Sequence, residues 1–440
     1  MKKYFLVLII TIQALVSCGQ TKEQSITYKE NIVKDLVIKN VSVVTMKSNE
    51  VLKNQDVVIK DGKIVSILDS EKTVHQNIVE IDGTDKYIMP SLTDAHVHFP
   101  ETETEMEHVM QLYLINGVTK LRSMRGDWKH VDWRNKYNAE SSIYPKLYLS
   151  APPISRNYDL TPTQIEGLVK NAKEKGFDFI KILSVKNQDI FTQLDAACKK
   201  YNLPIGGHFP SNIPDSLIFK SMYTSFEHLG GLAGVSPEVL ENRLQKIKAN
   251  DIFICPTLSW YSIGSGRYSY EELRNQPGME FVPKETIEDW IEKTKQYREK
   301  LGDQAYRDEV ANELKSLEEK YQIIKKAHDL GISMLLSPDS SSKYMISGFS
   351  VLGEMELLKN AQLGNYDILK MATTNFAAFF KEDYGTIEVG KSADFILLNQ
   401  NPLEDLNTFN KIEGLYYNNH FLDAKKLEAM RLKLSATSQN

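Results

Sequence analysis

The chain of 440 residues has a formal net charge of −5, with 42% hydrophobic and 25% charged residues. That is a globular balance, long enough for one large domain or two ordinary ones. No Lys/Arg-rich block stands out, so no nucleic acid is expected as a partner, and three cysteines (Cys18, Cys198, Cys255) are too few for a disulfide framework and offer no CxxC pair for zinc.

In chain order, the first segment reads as targeting. Lys2 and Lys3 precede a short apolar run, Tyr4 to Ile12, and then Leu15-Val16-Ser17-Cys18. A positive start, an apolar stretch and small residues make a signal peptide. The Leu-x-Ser-Cys ending resembles a bacterial lipobox, which implies residues 1–17 as a cleaved signal and Cys18 as the lipidated residue. A plain secretory signal with an incidental cysteine is the alternative. The apolar run is shorter than the ~20 residues that span a bilayer. Residues 18–34 are expected to be a tether, and the protein to be exported and held at the bacterial cell membrane through Cys18, at the periplasmic or outer-membrane level.

From Leu36 to about Pro90 the pattern predicts strands rich in β-branched residues. Asp61-Gly62 lies between Val57-Val58-Ile59 and Ile64-Val65-Ser66-Ile67, a hairpin signal. From Ile88 onward strands and helices alternate. The predicted strands are Ile88–His98, Val118–Ser123, Lys146–Ser150, Phe177–Leu183, Ile205–His208, Ser225–Leu229, Ile252–Leu258 and Ser333–Pro338. Helices are predicted between them, at Pro162–Lys175 and Gln188–Tyr201 among others. Eight strands with helical crossovers predict an α/β fold, a TIM-like (β/α)8 barrel, whose chemistry sits at the C-terminal strand ends.

Those strand ends carry unusual residues. Asp94-Ala95-His96-Val97-His98 closes the first strand, Lys181 lies in the fourth, His208 ends the fifth, His228 the sixth and Asp339 the eighth. Of nine histidines in the chain, four fall at these ends. Residues i and i+2 of a strand share a face, so His96 and His98 can present two imidazoles to one metal. Zinc accepts histidine nitrogen and carboxylate oxygen, and a catalytic site keeps one position open. Asp339 could give an oxygen ligand and take a proton, and His208 with His228 could hold a second metal. A lysine inside a barrel strand is costly unless paired or neutralised; carbamylation would make Lys181 an oxygen ligand able to bridge two metals. Arg122 and Arg125, read as lying just past the second strand, could bind a substrate carboxylate, or be surface arginines.

The set His96, His98, Lys181, His208, His228 and Asp339, in strands one, four, five, six and eight, resembles the binuclear amidohydrolase superfamily. Phe226-Glu227-His228-Leu229-Gly230, Cys255-Pro256-Thr257-Leu258 and Met371-Ala372-Thr373-Thr374-Asn375-Phe376-Ala377-Ala378 are similar to its imidazolonepropionase-like and prolidase-like branch. Gly385 to Leu398, followed by Asn401-Pro402-Leu403-Glu404-Asp405, looks like that family's return into its small sheet domain. The resemblance covers about residues 35 to 430. It implies a composite small β-sandwich from residues 35–89 and 385–432, and a barrel over 90–384. Ser337-Pro338-Asp339-Ser340 departs from the branch's Gly-Thr-Asp, and Leu121-Arg122-Ser123 from its Val-Arg-Asp; neither removes a ligand, and both bear on the substrate pocket.

The implied activity is metal-dependent hydrolysis of an amide or peptide-like C–N bond, in a small-molecule substrate such as a dipeptide or N-acyl amino acid. Two divalent ions, Zn2+ by preference, are the implied cofactors: His96, His98 and Asp339 on one, His208 and His228 on the other, carbamylated Lys181 between them, and Asp339 as the catalytic proton carrier. Other reactions compatible with the same ligands are cyclic-amide hydrolysis, deamination, lactone hydrolysis and phosphotriester hydrolysis. A ligand-binding lipoprotein without catalysis is the non-enzymatic alternative. Oligomeric state is left open by the sequence. A charged region at about 261–329 has Ile287, Trp290, Ile291, Thr294, Tyr297 and Leu301 at helical spacing, predicting a helical insertion that is a lid, a dimer contact or an enlarged crossover.

Overall fold

The computed structural model describes residues 32–70, 78–140 and 142–438. The expected signal, Cys18 and most of the expected tether lie outside the described residues. Among the described residues, no helix is long and apolar enough to cross a membrane.

The strands in chain order are β1 (Leu36–Val44), β2 (Val51–Lys60), β3 (Lys63–Asp69), β4 (Val79–Asp82), β5 (Tyr87–Pro90), β6 (Leu92–Val97), β7 (Val118–Ser123), β8 (Lys146–Tyr148), β9 (Ile180–Ile182), β10 (Ile205–His208), β11 (Tyr223–Glu227), β12 (Phe253–Cys255), β13 (Phe395–Leu398), β14 (Gly414–Tyr417) and β15 (His420–Asp423). Predicted strands two and five coincide with β7 and β10. The predicted first strand, Ile88–His98, is two strands in two sheets. β5 pairs antiparallel with β13 as far as Pro90, whereas β6 pairs parallel with β7.

The two ends of the chain build one sheet, ordered β15-β14-β13-β5-β1-β2-β3, with β4 on β1. All eight strands are hydrogen-bonded into one sheet. Its turn between β2 and β3 places Asp61 at φ 45° and Gly62 at φ 70°. A two-residue hairpin loop with positive φ at both positions matches the right-handed twist of its strands, and Asp-Gly tolerates it. Leu36, Ile38, Val57, Ile59, Phe395 and Tyr416 form the enclosed apolar core of this unit. The expected tether ends inside it: Ile32 bridges His420, and the Val33 N–H donates to Asn419 O at 2.7 Å.

The middle of the chain forms two parallel sheets, β6-β7-β8 and β12-β11-β10-β9. Parallel bridges link their edges: Ser150 to Phe179, Ile254 to Met334, and Val97 to Ser340. The segment predicted as an eighth strand thus lies between β12 and β6, but with isolated bridges in place of a ladder. The reason is local: Pro338 has no N–H to donate, and Asp339 sits at φ 70°. Helices cover these sheets. In Pro162–Glu174, Ile165, Val169 and Ala172 are buried and a Thr161/Gln164 capping box starts the helix. Gln188–Tyr201 buries Phe191, Leu194 and Cys198.

The charged region contains helices at Leu258–Gly264 and Tyr270–Arg274, a 3₁₀ turn at Met279–Phe281, and two long helices at Lys284–Leu301 and Asp303–Asp329. Gly302, at φ 83°, reverses the chain between the long pair.

Candidate metal centre

The centre is built around one carboxylate. Asp339 Oδ1 lies 3.3 Å from His96 Nε2 and 3.4 Å from His98 Nε2, and its Oδ2 lies 3.9 Å from His228 Nε2. The ligand atoms of His96, His228 and Asp339 fall within 4.8 Å of one another. The His208 ring stands edge-on to His228, 4.8 Å between centroids. All four histidines named from the sequence therefore gather at one place, and Lys181 in β9 is buried beside them.

Burial shapes the protonation of the group. It holds His96 well below the ordinary imidazole range, and it lowers His98 and His208 to about 4 and His228 to about 3, with Lys181 adding to each. The imidazoles are neutral near pH 7 and keep a lone pair for a metal. Burial lowers Lys181 to about 8, against the pull of Glu227 and Asp339. It raises Asp339 to about 7, against Lys181.

A carboxylate that sequence reasoning passed over orients this set. Glu227, fully enclosed at the end of β11, faces His96 Nδ1 through Oε2 at 2.9 Å. His96 is neutral, so the contact is an N–H···carboxylate hydrogen bond, which leaves Nε2 unprotonated toward Asp339. Burial opposes the charge on Glu227, but Arg122, His96 and Lys181 together hold its carboxyl well below the ordinary range. Arg122 Nη1 donates to Glu227 Oε1 at 2.8 Å, and Arg122 Nη2 donates to Ser225 Oγ at 2.7 Å. The guanidinium is completely buried, with Phe179 and Phe379 over it at 4.4 and 5.0 Å. This corrects the expected role of Arg122: it lies within β7, is enclosed by protein, and is engaged by Glu227, so no substrate carboxylate reaches it. Arg125 is exposed, and its charge helps depress His98.

Small residues make the space. A Cβ on Gly206 would lie 2.7 Å from Arg122 Nη2, and one on Gly207, at φ 139°, would lie 2.1 Å from Ile182 O. The Gly-Gly before His208 thus lets the buried arginine and β9 approach. Asp94 accepts the Tyr113 and Ser340 hydroxyls at 2.8 and 2.9 Å and the His96 N–H at 3.0 Å, tying β6 to the residue after Asp339. On the other flank Thr257, at φ 52°, puts Oγ1 2.6 Å from His228 Nδ1.

The donor set fits a cation. His96 Nε2 and Asp339 Oδ1 are both buried without a hydrogen-bond partner, although they lie 3.3 Å apart. Two such buried atoms are costly unless something positive lies between them. His96, His98 and Asp339 would hold such an ion, with His228, whose Nε2 is nearer Asp339 Oδ2, and His208 and Lys181 beside it.

Residues 266–418, about a third of the chain, match the model of the Amidohydrolase family. Among solved structures the chain resembles a bottromycin amidohydrolase at 19% identity and TM-score 0.73, covering 92% of this chain and 91% of that one. It also resembles a Xaa-Pro dipeptidase with methionine bound in its active site, at 17% identity and TM-score 0.64, covering 88% and 100%. A third is the ochratoxinase of A. niger, at 15% identity and TM-score 0.65, covering 89% and 96%. A search of curated proteins finds no match. The family match supports an enzyme, a hydrolase acting on carbon–nitrogen bonds, and the solved structures share its fold, a TIM-like barrel with an additional domain.

Proposed function

We propose that the protein is a metal-dependent amidohydrolase that cleaves an amide or peptide-like C–N bond, with a dipeptide or N-acyl amino acid as substrate. The observation that carries this reading is the pair of unpartnered, buried atoms His96 Nε2 and Asp339 Oδ1, facing each other at the ends of neighbouring chain segments. Nitrogen and oxygen donors in this mixture suit zinc, and the spread of ligands to His208 and His228 suits two ions, with Lys181 carbamylated between them. A divalent cation at this position supplies Lewis acidity, polarising a carbonyl and acidifying water.

The chain's own residues do the rest. Glu227 keeps the His96 proton on Nδ1, and Thr257 Oγ1 meets His228 Nδ1. Asp339 takes a proton from the attacking water at Oδ2 and delivers it to the leaving nitrogen. The exposed guanidinium of Arg125 receives the substrate carboxylate. Lys181 is suited to carbamylation because its low pKa leaves part of the amine neutral and nucleophilic at neutral pH. The Lys2-Lys3 start, the apolar run and Cys18 further support export and anchoring by lipid at the cell membrane.

The test is elemental analysis of the signal-less protein, with and without added bicarbonate, followed by turnover of dipeptides and N-acyl amino acids. Close to two ions per chain and hydrolysis of a member of that panel are expected. One ion per chain points to a mononuclear reaction and removes the bridging role of Lys181. No ion after reconstitution overturns the proposal.

A further inference from the structure

We infer that Trp260 is a preset aromatic platform beside the metal ligands, selecting substrates that carry a flat apolar or aromatic group. This rests on the hydrolase reading. The helix Leu258–Gly264 starts directly after Thr257, the residue whose hydroxyl meets His228. The first turn is held down from below: the buried Glu354 carboxylate accepts the N–H groups of Leu258 and Ser259 at 2.8 and 2.7 Å. Leu258 and Ser259 are buried, whereas Trp260 is 46% exposed. Its ring lies 5.7 Å from the His228 ring. Any substrate whose carbonyl reaches the metal ligands therefore comes within a side chain's length of the indole.

Neighbouring rings brace the platform and set its preference. Trp260 packs edge-on against Tyr261 at 5.1 Å and 80°, and the Tyr261 hydroxyl accepts the Leu229 N–H at 3.2 Å. An exposed indole braced in this way presents apolar area at a reduced ordering cost on binding. A cationic substrate group is disfavoured, because the Lys320 ammonium already sits 4.2 Å over the Tyr261 ring and would repel a second cation on the adjoining Trp260. Offset or edge contacts with an aromatic or apolar group remain.

The experiment uses zinc-loaded protein and two hydroxamates that differ only by a phenyl group, phenylacetohydroxamate and acetohydroxamate, titrated by calorimetry. Wild type is expected to bind the phenyl compound about tenfold or more tightly, the scale of an apolar pocket's discrimination. In W260A that ratio is expected to fall toward one, and in W260F to stay largely intact, at equal zinc content. If W260A fails to load zinc, W260L replaces it. An equal ratio in wild type, or an unchanged ratio in the alanine or leucine variant, overturns the inference. A wild-type preference without turnover of any dipeptide or N-acyl amino acid overturns the reaction class and leaves the platform standing. Turnover without a preference overturns the platform alone.

Discussion

Glu227 and His96 meet 2.9 Å apart with both side chains enclosed, and this contact decides which imidazole nitrogen is free to bind a metal. Glu227→Gln keeps the shape but weakens the acceptor that fixes the tautomer. Loss of such a partner lowers metal affinity by about 10- to 100-fold. Competition against a chelator measures it, and an affinity equal to wild type counts against an orienting role. Glu227→Ala goes further by stranding the buried charge of Arg122. Breaking a buried ion pair this way costs about 3–5 kcal/mol, readable as a lower denaturation midpoint.

Lys181→Ala is expected to abolish turnover while the other ligands remain. Short carboxylic acids with zinc should restore part of it, because a carboxylate can occupy the place of the carbamate. Wild-type activity should also rise with bicarbonate present during metal loading. Absence of rescue, with normal metal content, removes the bridging role and leaves Lys181 as a buried ammonium.

How far this site can be read from sequence follows from what each residue does. His96, His98, His208 and His228 are legible because position at or just past a strand end and chemistry coincide, Lys181 because a lysine inside an apolar strand is conspicuous, and Asp339 because it follows an apolar run that lies between β12 and β6. Glu227, in Phe226-Glu227-His228, carries no spacing signal of its own, because its partners Arg122 and His96 come from other strands. The role of Arg122 differs from its expected one for the same reason, since burial in β7 is a property of the packed sheets and not of the local sequence. The split of Ile88–His98 into β5 and β6 lies in a change of partner that local sequence does not carry: the Ser91 N–H still donates to Asp394 O at 3.0 Å, beside β13, whereas the Leu92 N–H donates to Gly117 O at 2.9 Å, beside β7.

Glu354 gives a prediction in pH. Burial raises its carboxyl from 4.5 to about 7, against the Leu258 and Ser259 N–H groups it accepts. Between those values the native chain holds a proton that the unfolded chain has released. That contribution is complete below 4.5 and is lost as pH rises through 7. The slope is about 1.4 kcal/mol per pH unit within the window for one such group. Asp94 and Asp339, also raised to about 7 by burial, tilt the metal-free protein the same way. The useful reading is therefore the difference between wild type and Glu354→Gln in thermal midpoint across pH 5 to 7.5. The variant's curve should be flatter, and parallel curves would show that the carboxyl is not raised.

The long helical pair bears on substrate entry through Tyr344, which follows Asp339 in the same loop. The Tyr344 hydroxyl lies 2.8 Å from Thr294 Oγ1, and its ring meets Trp290 at 5.5 Å. The base of the insertion is part of the core: Ile291 and Phe281 are buried, and Phe281 stacks on Phe349 at 5.1 Å. Excising 264–304 would remove those residues and unfold the flank, so loss of activity in a truncated chain says nothing about a lid. Removing only the tie is cleaner. Tyr344→Phe and Thr294→Val each delete one hydrogen bond worth about 0.5–1.5 kcal/mol. If the pair shapes the entrance, KM rises by about two- to tenfold with kcat and metal content little changed, since uniform binding is what has been lost. An unchanged KM in both variants makes the pair an enlarged crossover. A change in oligomeric state with unchanged KM makes its exposed side, where Tyr297 is 51% accessible, a contact between copies.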